Sequence, residues 1–275
     1  MTKKQLFKCL IIVIIITGII SIFTLFTIYT SEINRSLTNV EGAWASLFII
    51  LFRIAILSGM TFYVFQKWFK QEAQYLSDLP SLFGFFFLFL IFGKFLDMLF
   101  YLTYFTLEDD EVLLLLKVHF FIAILTLFPM IYLSLGMILY YFSLKNKYKK
   151  LNNEKYRNKV RMTIIVIITL TEIIAIILAP NTVIVGILLP CFVLPSLLTI
   201  AWLFAFAHKN KALPQVNPLI LTFTFIAYLI SQIMRPLFQN IFDPALYIIV
   251  SEIIDLIIFA FIFLGFYLKP HYKTD

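Results

Sequence analysis

Eight stretches of this chain are apolar over about 20 residues each, the length that an α-helix needs to cross a hydrocarbon layer roughly 30 Å thick. Backbone polar groups inside such a layer must be hydrogen-bonded within their own segment, so each stretch is expected to be helical. The sequence therefore predicts an all-α, polytopic integral membrane protein, a bundle of about eight transmembrane helices. The predicted spans cover residues 6–30, 43–65, 81–107, 112–143, 162–179, 182–207, 218–235 and 245–268.

Composition agrees with this class, because 62% of the residues are hydrophobic and only 13% are charged. The lysines and arginines also predict an orientation. If the N terminus is cytoplasmic, 17 of the 22 basic residues lie in cytoplasmic segments, whereas only Arg35 and, at a span boundary, Arg235 lie on the opposite side. Cytoplasmic loops of membrane proteins carry such an excess. We therefore expect a multi-pass protein of the cell membrane with both termini cytoplasmic.

One basic segment, residues 145–161, separates the first four spans from the last four. We treat residues 1–275 as a single transmembrane domain with a 4+4 helix organisation, residues 1–144 and 162–275, joined by this cytoplasmic loop. Its positive charge is expected to face the anionic lipid of the cytoplasmic leaflet. No folded basic surface with a reading element is visible, so nucleic acid is not an expected partner.

A short internal similarity favours the 4+4 organisation. The eight residues from Gly93 in the third span align without gaps with the eight from Ser231 in the seventh. In this alignment Lys94 matches Gln232 and Asp97 matches Arg235, so each segment has two polar residues three apart. A duplicated four-helix unit would explain the match, and its copies would share one orientation because an even number of spans separates them. A chance match between two leucine-rich segments is the alternative.

Titratable side chains inside or beside the predicted spans are the candidate functional residues. A charged group at the bilayer centre costs roughly 2.5–3.5 kcal/mol on insertion scales, so such residues usually face a protein interior or a watery cavity. Six of them lie roughly 10 to 15 Å from the outer ends of their spans, counted at 1.5 Å per residue. This predicts an outward-facing polar cavity, with interhelical bonding as the alternative. The ligand-binding or polar-network candidates are Arg53, Lys94, Asp97, His119, Glu172, Arg235, Glu252 and Asp255.

Two pairs among these candidates are three residues apart and so share a helix face. Lys94 and Asp97 can neutralise each other. Glu252 and Asp255 cannot, because two close carboxylates in low dielectric repel each other unless one binds a proton or a cation lies nearby. The candidate cations are Arg53, Lys94 and Lys117.

The sequence holds none of the common catalytic signatures. A His-Glu-x-x-His pair, a Gly-x-Ser-x-Gly elbow and a phosphate-binding glycine loop are all missing. We therefore expect no enzyme, no cofactor and no metal site. The residues favour a receptor-like sensor whose outward-facing polar cavity takes a small ligand or a proton, and whose cytoplasmic loops signal to a protein partner. The alternative is a secondary transporter or proton- or cation-coupled carrier of a small solute.

Overall fold

A computed structural model describes residues 3–104, 106–144 and 146–270. Over these residues the chain is entirely helical, with nine α-helices, one 3-10 helix at Asn146–Asn152 and no strand. The α-helices are α1 (Lys3–Ile28), α2 (Thr30–Asn39), α3 (Ala43–Phe69), α4 (Leu79–Thr103), α5 (Asp109–Ser143), α6 (Glu154–Leu178), α7 (Thr182–Lys209), α8 (Pro218–Ile241) and α9 (Pro244–Tyr267). All except α2 are long and apolar enough to cross a membrane, which confirms the eight predicted spans and a multi-pass membrane protein.

The two largest boundary differences from the sequence prediction are in α6 and α8, and one helix was not predicted. The helix α6 begins at Glu154, inside the segment predicted to be a loop, because the Asn153 side chain accepts hydrogen bonds from the first backbone N–H groups of the helix. The helix α8 continues past Pro236 to Ile241 instead of ending at residue 235, since membrane helices tolerate a proline when neighbouring groups satisfy the freed backbone. The short helix α2 was not predicted. Lys145, the first residue of the predicted loop, lies outside the described residues.

The chain divides into two compact units, of which the first ends at Thr126 and the second begins at Leu127, within α5. In the first unit α4 packs along α3, and α1 and α2 lie against α4. The helix α4 is buried over most of its length. Its aromatic residues Phe83, Phe86 and Phe87 are fully buried and form part of the core of this unit.

In the second unit α8 packs against both α7 and α9. The Phe204 and Phe225 rings stack with centroids 5.6 Å apart, and the Tyr228 and Phe259 rings meet edge to face at 5.2 Å. Aromatic pairs in these geometries add about 0.5–1.5 kcal/mol beyond the area they bury. The helices α8 and α9, which carry Arg235 and Asp255, are therefore held in place by close packing.

Candidate functional site

The first unit brings three predicted residues together at the contact between α4 and α5. Lys94 and Asp97 lie one turn apart on α4, and the Lys94 Nζ is 2.5 Å from the Asp97 Oδ2. From α5, the His119 Nδ1 lies 3.0 Å from the other carboxylate oxygen of Asp97. The spacing of Lys94 and Asp97 correctly predicted a self-neutralising pair. One carboxylate therefore holds a cation from its own helix and an imidazole from the next.

Exposure differs within this group, which we call the Asp97 cluster (Lys94, Asp97 and His119). The Lys94 side chain is 7% exposed, whereas the Asp97 and His119 side chains are 29% and 23% exposed. With Nδ1 directed at Asp97, Nε2 is the imidazole atom that remains for a further hydrogen bond. The cluster thus combines a buried cation with two accessible groups.

The helix that carries His119 begins with Asp109, Asp110 and Glu111 in its first turn, where negative charge stabilises a helix.

Arg53 is also in the first unit, on α3, and is only 1% exposed. A guanidinium so deeply buried agrees with the prediction that this residue faces protein and not lipid.

Tyr29, which directly follows α1, is 8% exposed and packs with Leu99 and Leu115. Burial raises the pKa of the Tyr29 phenol, and the negative charges of Glu111 and Glu32 raise it further. This phenol therefore stays neutral at physiological pH.

The second unit contains a separate polar group between α8 and α9. Asp255 is fully buried, and its Oδ2 accepts a hydrogen bond from the Arg235 guanidinium. The Ser231 hydroxyl, one turn earlier on α8, donates to the Asp255 Oδ1 at 3.3 Å. Glu252 lies one turn before Asp255 on α9 and is 6% exposed.

Arg235, from α8, is therefore a cation that binds Asp255. That Arg53, Lys94 or Lys117 also supplies a cation to Glu252 and Asp255 stays a prediction. Sequence reasoning assigned Arg235 to a boundary, because Pro236 was taken as the end of a helix. It also missed Ser231, although four residues separate Ser231 from Arg235 and so place both on one face of α8.

Glu172 lies on α6 in the second unit and is 5% exposed. Among the residues that the structure describes, its carboxyl makes neither an ion pair nor a hydrogen bond. Glu172 therefore stays a candidate functional residue of the second unit.

The eight predicted residues thus fall into the two units in equal numbers. Lys94, Asp97 and His119 meet in one, and Arg235 and Asp255 meet in the other. One cavity shared by all eight stays a prediction. Within the described ranges, no group of three or more histidine, cysteine or acidic side chains is placed to hold a metal ion.

Comparison with known proteins adds no family: no protein-family model, no curated protein and no solved structure matches this chain.

Proposed function

We propose that this chain is a receptor-like sensor of the cell membrane, with both termini cytoplasmic, in which the Asp97 cluster receives a proton or a small polar ligand from the outer side. The observation that carries the proposal is the 3.0 Å contact between the His119 Nδ1 and the Asp97 Oδ1. This contact joins α4 to α5 through a side chain whose type can change charge near neutral pH.

The proposal rests on how the strength of that contact depends on charge. A hydrogen bond between an ionised donor and an ionised acceptor gains the attraction of two opposite charges, which is stronger in low dielectric than in water. Proton uptake by His119 adds positive charge beside the Asp97 carboxylate and so tightens α5 against α4. A small anionic or hydrogen-bonding ligand at the exposed imidazole would act on the same contact. The cluster is therefore suited to convert binding into a change of helix packing.

The helix α5 supplies a route for the signal. It is a single helix from Asp109 to Ser143, about 50 Å long at 1.5 Å per residue. His119 is near its beginning, and its end leads into the basic residues Lys149 and Lys150. A shift of α5 at His119 would move that basic segment, where a cytoplasmic partner would read it.

The test uses the proton as the probe. Hydrogen exchange of α4 and α5 is measured in lipid nanodiscs across the physiological pH range for the wild type, His119→Gln and His208→Gln. We expect the protection factors of α4 and α5 in the wild type, which are exchange rates corrected for the intrinsic rate at each pH, to rise several-fold as pH falls. His119→Gln should abolish that dependence, whereas His208→Gln, altered at the end of α7, should keep it. A His119→Gln protein with the wild-type pH dependence would refute the proposal.

The second candidate function is a proton- or cation-coupled carrier, and the buried Glu172 carboxyl favours it. A carboxyl without a protein partner is suited to bind and release a proton or cation during transport. Proteoliposomes with an internal pH dye distinguish the two functions. A carrier should move protons at a rate that Glu172→Gln reduces at least tenfold, while a sensor should show no protein-dependent flux.

We also propose that the chain has the 4+4 organisation. Extending the gapless alignment of α4 with α8 places Pro80 on Pro218 and the last residue of α4, Thr103, on the last residue of α8, Ile241. Both prolines lie in the first turn of their helices. The two aligned charged residues also make equivalent contacts. Asp97 contacts His119 and Arg235 contacts Asp255, in each case on the next helix.

A further inference from the structure

A deep groove runs between α1, α3 and α4 in the first unit. Its volume is about 940 Å³. The helix α1 touches α4 at Gly18, whose missing side chain leaves room for the Phe92 ring, and Phe7 packs on the Trp68 ring at 5.4 Å. Between these contacts Ile11 also packs with Phe65 and Phe92. Phe23 and Phe62 line the groove and are each 72% exposed, so the groove is open along one side.

The walls of the groove are almost wholly apolar. Of its four polar lining residues, Ser58 and Thr61 donate their hydroxyls to the backbone of their own helix, at 2.8 and 2.7 Å. The other two, Lys8 and Gln66, are exposed and lie at one end of the groove. There the Lys8 Nζ is 5.6 Å from the centre of the Phe69 ring. The groove thus offers a long apolar surface with a single cation at its entrance.

We propose that this groove binds one hydrocarbon chain of an anionic membrane lipid, whose phosphate pairs with Lys8. The length supports a lipid chain: α1 lines the groove from Lys8 to Phe26, which is about 27 Å at 1.5 Å per residue. One leaflet of a 30 Å hydrocarbon core is only about 15 Å deep, so a chain that enters at Lys8 fits at full length.

The basic residues at this end of the groove determine which lipid headgroup binds there. Lys4 and Lys8 lie in the first turns of α1, and Lys70 follows α3 at the same end. Of the acidic residues there, Asp78 already accepts hydrogen bonds from the Trp68 indole at 3.2 Å and from the Tyr75 backbone N–H at 2.8 Å. Glu72 is exposed. Basic residues near the membrane surface attract anionic lipid, so an anionic headgroup is favoured over a zwitterionic one.

Trp68 supplies a reporter inside the protein. It is fully buried, and its ring lies 5.0 Å from the ring of Phe69, a residue that lines the groove. Replacing Trp44 and Trp202 by phenylalanine leaves Trp68 as the only tryptophan of the chain. The protein is then reconstituted in vesicles that contain brominated phosphatidylglycerol or brominated phosphatidylcholine, and quenching of Trp68 is measured against mole fraction.

We expect phosphatidylglycerol to quench at a several-fold lower mole fraction than phosphatidylcholine. Lys8→Gln should reduce this preference several-fold more than Lys4→Gln, an equal change of charge outside the groove. Ile15→Phe, which fills the groove, should reduce quenching by both lipids. Equal quenching of the wild type by the two lipids, or an unchanged preference in Lys8→Gln, would overturn the proposal. Absence of quenching by either lipid, as expected if a second copy of the chain covers the groove, would also overturn it.

Discussion

Removal of the Arg235 guanidinium tests how strongly the ion pair in the second unit stabilises the protein. Arg235→Met keeps a long apolar side chain but removes the guanidinium that pairs with Asp255, whose side chain is 1% exposed. Removing one partner of a buried ion pair typically costs about 3–5 kcal/mol, because a buried charge is left uncompensated. Ser231 still donates to Asp255, so we expect the lower end, about 3 kcal/mol.

The two side chains of this ion pair differ in exposure, which predicts a smaller loss of stability when Asp255 is replaced. The Arg235 side chain is 27% exposed, so it can reach water or lipid headgroups when its partner is lost. Asp255→Asn should therefore cost only about 1 kcal/mol, the net value of a typical hydrogen bond. The double variant Arg235→Met with Asp255→Leu should be within about 1 kcal/mol of the wild type, since apolar replacement of a buried pair is often neutral.

The assay is equilibrium unfolding in mixed micelles of increasing dodecyl sulfate content, followed by far-ultraviolet circular dichroism. Arg35→Met is the matched control, because Arg35 is exposed on α2 and should change stability by no more than about 0.5 kcal/mol. The reasoning fails if Arg235→Met costs no more than this control, or if the double variant is as unstable as Arg235→Met alone.

Three further predictions concern topology, packing and pH. In a Cys9→Ser, Cys191→Ser background, single cysteines at residues 35 and 149 should react with an impermeant reagent from opposite sides of the membrane, and reaction from one side would remove the proposed orientation. Gly18→Leu should lower the unfolding free energy by about 1–3 kcal/mol, because its side chain would overlap the Phe92 ring; Gly59→Leu, where the added group meets open space, is the control. The raised pKa of Tyr29 means that its neutral phenol stabilises the fold below about pH 10 and that this contribution is lost as pH rises further. Tyr29→Phe should therefore weaken the alkaline loss of stability, and a result no different from that of the exposed Tyr75→Phe would contradict this.

Hydropathy predicted the eight spans because each is long and apolar throughout. The same measure missed α2, which has only ten residues and a polar average, and which is held by packing on α4. Its buried face could have been found from the spacing of Ile33 and Leu37, four residues apart. Short amphipathic helices are therefore the elements that a span search overlooks.

The polar contacts were predictable only where they lie within one helix. Lys94 and Asp97 share a face at a spacing of three, so their pairing follows from helix geometry alone. The contacts of Asp97 with His119, and of Asp255 with Arg235, depend on which faces of neighbouring helices meet. That is decided by packing over whole helices, and no local pattern in the sequence encodes it.

The short link between α8 and α9 bears on how this protein enters its membrane. Only Phe242 and Asp243 separate Ile241 at the end of α8 from Pro244 at the start of α9. If α8 crossed the bilayer alone, Arg235 would enter it without Asp255, which leaves the ribosome twenty residues later. Synthesis at about 5–20 residues per second makes that delay about 1–4 seconds. Insertion of α8 and α9 together as one hairpin instead carries the two opposite charges into the bilayer already paired.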